Sequence, residues 1–166
     1  MKRSLFVSLF WLIALVATAQ SAVGEPGSYA VAQPPAGKVV ESRTELNFRD
    51  NALSAITVLK ADSDGTIRGT MMNEFGISAL SFTVSPDRRR VKLLNVMPKL
   101  NKWYIKKVMR ADLRHLFSAR NSQLGQTVKH RTLSRDSLGT LTLTNDKRHI
   151  TYIFQPFTTK NDEPAQ

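Results

Sequence analysis

The chain has 166 residues, no cysteine, and 24 Lys and Arg against 13 Asp and Glu. The missing cysteine excludes disulfides, thiolate metal sites and a cysteine nucleophile, so any fold must be held by its core. The positive balance points to anionic partners such as lipid headgroups, lipopolysaccharide phosphates, acidic glycans or nucleic acid; the simpler reading is that the charge only keeps the protein soluble.

Lys2 and Arg3 precede LFVSLFWLIALVA, Leu5 to Ala17, in which Ser8 is the one polar residue. The run is short of the roughly 20 apolar residues of a bilayer span, and Ala17-Thr18-Ala19 supplies the small-x-small pattern of a signal-peptidase site. Residues 1–19 therefore read as a cleavable signal peptide, the alternative being an uncleaved N-terminal anchor. With no cysteine after the apolar run, the expected product is soluble rather than lipid-anchored. Export without cysteine leans towards the periplasm of a Gram-negative cell envelope. Without Lys2 and Arg3 the balance is still 22 basic against 13 acidic residues. Nucleic acid is disfavoured as a partner by compartment and by the lack of an aromatic-rich RNA-binding signature.

Residues 20–37 are rich in Gly, Pro, Ala and Ser without periodicity and read as a flexible leader; residues 158–166 read as a flexible tail. Between them, 38–157 form one β-rich domain. Strands are predicted at Val39–Arg49, Leu53–Lys60, Thr66–Met72, Ile77–Val84 and Arg90–Val96, with turns at Asp62-Ser63-Asp64-Gly65, Asn73-Glu74-Phe75-Gly76 and Ser85-Pro86-Asp87. Leu80, Phe82 and Val84 share one face of the fourth. From Asn101 to Ala119 the period changes. Ile105, Val108, Met109, Leu113, Leu116 and Phe117 fall on one half of a helical wheel, with Asn101 as the expected N-cap. Trp103, Lys106, Lys107, Arg110 and Arg114 make a cationic stripe opposite. Three more strands follow, Thr127–Leu133, Leu138–Thr144 and His149–Gln155, with Asn145-Asp146 as a turn.

Several strands are apolar on both faces, unlike a sheet with water on one side. The expected fold is mainly β with one amphipathic helix: a curved antiparallel sheet or incomplete barrel with the helix packed across it. Its interior is either filled by side chains or open to a ligand.

No catalytic chemistry is legible. His115, His130 and His149 have no metal-ligand spacing, the carboxylates are scattered, and the glycines follow turns. No catalytic residue, metal site or cofactor is expected, and the protein does not read as an enzyme. Asp112 lies inside the apolar arc of the helix, so if buried it needs a donor such as a backbone N–H or an arginine from the sheet. Arg88, Arg89 and Arg90 follow a Pro-Asp turn. With Lys92, Lys106, Lys107, Arg110 and Arg114 they are expected to form a cationic rim that meets an anionic headgroup or membrane surface, each cation contributing about 1 kcal/mol. The alternative is a docked helix with a solvated outer face.

The segment TMMNEFGISALSFTV, from Thr70 to Val84, followed by KLNKWYIKKVMRADLRHLF on the helix, resembles a group of small exported proteins and lipoproteins of Bacteroidota-type bacteria. The resemblance covers about a third of the chain. That group looks like a distant branch of the lipoprotein-carrier superfamily of the Gram-negative envelope. It implies a half-barrel with helices over a hydrophobic cavity that takes acyl chains, and it carries no catalytic residues. This chain departs from the lipoprotein members by lacking the lipobox cysteine. The expected function is a soluble periplasmic carrier or binding protein for a lipid, acyl chain or lipoprotein, its apolar lining drawn from Met71, Leu80, Phe82, Val84 and Trp103. The alternative is a non-enzymatic assembly protein that docks an envelope partner through a sheet edge and the basic helix.

Overall fold

The computed structural model describes residues 29–31, 34–48 and 51–157. The signal-peptide reading, most of the leader and the tail at 158–166 lie outside the described residues. Nine strands and one helix follow in order: β1 (Val39–Phe48), β2 (Asn51–Ala61), β3 (Ile67–Met72), β4 (Ser78–Val84), β5 (Val91–Val96), α1 (Trp103–Ser118), β6 (Thr127–Val128), β7 (Arg131–Arg135), β8 (Leu141–Asn145) and β9 (Ile150–Pro156). The strands form one antiparallel sheet in the order β5-β4-β3-β2-β1-β9-β8-β7-β6. The chain thus builds two meanders, β1 to β5 and β6 to β9, and seams them where β1 pairs with β9. The sheet is not closed into a barrel.

Its curvature follows from the helix. Strands lie about 4.8 Å apart, so β5 and β7 would be about 34 Å from each other in a flat sheet. On a flat sheet a helix would pack on strands that neighbour one another, yet α1 packs most closely against β5 at one margin and β7 and β8 near the other. The sheet must therefore wrap around it as a half-barrel. Irregular pairing between Met71 and Met72 and between Ser81 and Phe82 marks where the first meander bends, as bulges do.

The cross-strand register puts Leu59, Ile67, Val84 and Val91 on the concave face with Phe82 and Leu80, and all six are buried. Phe82 meets Phe117 of the helix at 5.7 Å between ring centroids. Each buried aliphatic or aromatic side chain contributes roughly 1.5–3 kcal/mol. The convex face is less apolar than the strand sequences imply. Beside the half-buried Ile56, Val58 and Ile153 it carries hydroxyls at Thr70, Ser81, Thr83, Thr142, Thr144 and Thr151. The irregularity at Ser81/Phe82 also places Leu93 and Val96 on the same face as their partners Phe82 and Leu80, and leaves Leu94 60% exposed. Simple alternation puts Leu94 with Val96; the extra residue breaks that count.

Three further expectations are corrected. The span Thr127–Leu133 is two strands, not one. Lys129 and His130 both take positive φ, 51° and 63°, and so make the two-residue turn that a right-twisted hairpin favours. Asn and Gly usually fill such turns, so Lys-His gave no signal. The helix N-cap is Lys102, without a side-chain cap, rather than Asn101. Finally, part of the leader is structure. Ala30 and Val31 are buried in the core, the Ala30 N–H donates to the Ala119 carbonyl at 2.8 Å, and Arg135 donates to the Ala30 carbonyl. The Tyr29 ring lies between the guanidinium groups of Arg88 and Arg120, at 4.8 and 4.4 Å. This segment shuts the end of the half-barrel where β2, β4 and β7 finish. That is the closed end; the other is the open end.

Gly69 shows how tightly the closed half is packed. A Cβ there would lie 2.1 Å from Cζ of Phe82, so only glycine lets that ring lie across β3. Gly69→Ala is expected to destabilise the fold by about 1–3 kcal/mol through overpacking, read as a lower urea midpoint with an unchanged slope.

Candidate functional site

Toward its C-terminus α1 is sealed onto the sheet by Leu113, Leu116 and Phe117, all buried. Its first two turns are not. Tyr104 is exposed, and Ile105 and Val108 are only partly buried. There β1, β2 and β9 run past the start of the helix, and a cavity of about 560 Å³ opens beneath it. That size is within the range of small-molecule sites, about 300–1,000 Å³. Leu46 and Leu53 of the sheet face Ile105, Val108 and Met109 of the helix, and Tyr152 closes the back. Lys99, Lys147, Arg148 and His149 also line it. The last three belong to the short helical turn Asp146–Arg148 and its cap, where His149 takes φ 54°. The cavity is apolar within and cationic at its margin.

A second recess, of about 400 Å³, flanks the same two turns of the helix. Trp103, Lys107, Lys129, His130 and Arg131 line it, and it shares Tyr104, Val108, Lys147 and Arg148 with the cavity. Trp103 and Tyr104 meet edge to face, 6.0 Å between centroids.

Asp112 links walls of the two spaces. Its side chain is fully buried. Oδ1 accepts from Arg131 Nε at 2.7 Å and Asn145 Nδ2 at 2.8 Å, and Oδ2 accepts from the Tyr152 hydroxyl at 3.1 Å. The expected arginine from the sheet is therefore Arg131. Tyr152 faces the cavity, while Arg131 and Asn145 face the recess, so one carboxylate fixes walls of both. Burial, then the neighbouring Asp112 charge, holds the Tyr152 phenol well above its ordinary range. Burial, reinforced by Arg131 and opposed by Asp112, lowers His115 below its ordinary value.

The expected lining is relocated. Met71, Leu80, Phe82 and Val84 are buried in one core with Leu113, Leu116 and Phe117 of α1 and do not line the cavity. Trp103 is 75% exposed and belongs to the second recess. The expected cationic rim is split. Arg88 is 1% exposed and stacks on Tyr29, where burial lowers its pKa, so it meets no headgroup. Arg89 and Arg90 are exposed at the closed end, away from the cavity. Lys107 lines the recess, Lys106 is half-buried beside it in sequence, and Arg110 and Arg114 are exposed on the helix. Lys99, in a turn, and Lys147 and Arg148, in the short helical turn, do line the cavity, and no sequence pattern singles them out.

Among the described residues no group of His, Asp or Glu could hold a metal ion, and no helix is long and apolar enough to cross a membrane. The chain matches no protein-family model, and no curated protein matches it.

Asp112→Ala removes the acceptor for three donors, and losing one partner of a buried ion pair costs about 3–5 kcal/mol; denaturant unfolding measures it. The pH response of His115 has a definite sign. The unfolded chain takes up a proton near the ordinary histidine value of about 6.5, whereas the folded chain resists until lower pH. Stability is therefore full above about 6.5 and falls with pH down to the folded value. His115→Gln is expected to flatten that part of a stability–pH curve.

Proposed function

We propose that the protein is a soluble carrier or binding protein of the cell envelope, working in the periplasm, that shields an acyl chain of a lipid or lipoprotein. The observation that carries this reading is the apolar cavity under the first turns of α1, with Lys99, Lys147 and Arg148 along it. An apolar trough of that size suits a chain, and cations beside it suit an acidic head. The export signal read at residues 1–19 and the basic composition agree with such a role. A wholly filled interior would instead have favoured docking of a protein partner at a sheet edge.

Each methylene taken from water contributes about 0.8 kcal/mol. Affinity for a series of fatty acids is therefore expected to rise up to about fourfold per added methylene, until the chain fills the space. Displacement of a fluorescent fatty acid measures this, with mass spectrometry of lipids extracted from the purified protein as a second readout. Leu46→Trp, which fills the cavity, is expected to weaken binding at least about tenfold. Affinities independent of chain length, together with no co-purifying lipid, would overturn the reading.

A further inference from the structure

We infer that the acyl ligand carries a phosphate ester, and that the second recess, between the start of α1 and the β6–β7 turn, is the site of that phosphate. The inference rests on the carrier reading and names the class of ligand within it.

Charge distribution is the first argument. Lys107, Lys129, Arg131, Lys147 and Arg148 line the recess with His130, and no Asp or Glu does. The nearby carboxylates are Asp112, buried behind Arg131 and engaged by it, and Asp146, exposed in the adjoining turn and outside the lining. Among the described residues no carboxylate forms an ion pair with Lys107, Lys129, Lys147 or Arg148. Like charges gathered in one concave space repel. An anion relieves it, and one with several acceptor oxygens relieves most. Phosphate oxygens match an arginine fork and several ammonium groups together.

Connectivity is the second. The cavity and the recess share Tyr104, Val108, Lys147 and Arg148. A chain in the one and a headgroup in the other would lie on two sides of the same helical turn, joined across these residues. A simple fatty acid has no need of the recess, since its carboxylate would meet Lys99, Lys147 and Arg148 beside the cavity. Lys107 and Lys129 line the recess alone and are left for a larger anionic head.

The test uses three soluble probes on the intact chain: palmitoyl lysophosphatidic acid below its micelle concentration, monopalmitoylglycerol with the same chain and no phosphate, and glycerol phosphate with no chain. Calorimetry is expected to show the phosphorylated amphiphile binding at least about tenfold more tightly than the neutral one. Lys107→Gln with Lys129→Asn, which leaves Arg131, Lys147 and Arg148 in place, is expected to reduce that preference at least about threefold and leave affinity for the neutral probe unchanged. Both side chains are exposed, and asparagine tolerates the positive φ at 129. Equal affinity for the two acyl probes overturns the phosphate assignment while the carrier reading stands. A preference undiminished by the double substitution overturns the recess as its seat. Glycerol phosphate binding as tightly as the phosphorylated amphiphile, with no binding of the neutral probe, overturns the carrier reading and the amphiphile assignment with it.

Discussion

One helix has to cover the inner face of a long curved sheet. Sixteen residues of α-helix span about 24 Å, whereas the ten and eleven residues of β1 and β2 extend roughly 35 Å. Something must be left uncovered, and where the shortfall falls decides the character of the molecule. The C-terminal half of α1 is seated over the first meander, and the segment from Tyr29 to Val31 plugs the space beyond it. The deficit is thereby pushed to the other end, under the first turns of the helix.

At that end the helix still needs a fixed position, because its apolar contacts are incomplete. Asp112 supplies it with direction rather than with burial. A buried carboxylate satisfied by an arginine, an amide and a phenol permits little rotation or sliding, since any shift leaves a donor or acceptor unmet. Its three partners come from β7, the end of β8 and β9, so the bond set also ties the second meander to the helix. Tyr152 in the wall of the cavity and Arg131 and Asn145 in that of the recess are held in place because this bond set is fully paired.

The elements were legible because their periods are strong: β1 to β5 and α1 follow the alternation and helical spacing of the sequence to within a few residues. Even the role of Asp112 could be anticipated, as a carboxylate inside an apolar arc demands a donor. The position of the cavity could not. Leu80, Phe82 and Val84 present the cleanest apolar face in the chain, and for that reason they attract the helix and are covered by it. The cavity forms where the pattern is weaker, around Leu46, Leu53 and Ile150, which the β1–β2 pairing and the β1–β9 seam bring together. Arg88 misled in a similar way. Three consecutive arginines read as one solvated cluster, yet the turn places the first in left-handed conformation and folds it onto Tyr29.

The two strands that end the sheet differ from the rest. β6 is two residues long, and β5 is irregularly paired with β4 and carries Lys92 facing solvent. An unpaired strand edge is a template on which another chain can grow. Here one edge is too brief to hold a partner's register, and the other is kinked and charged. A half-barrel has no closure to hide its margins, so these blunted borders are what disfavours edge-to-edge growth beside an open trough with an apolar floor.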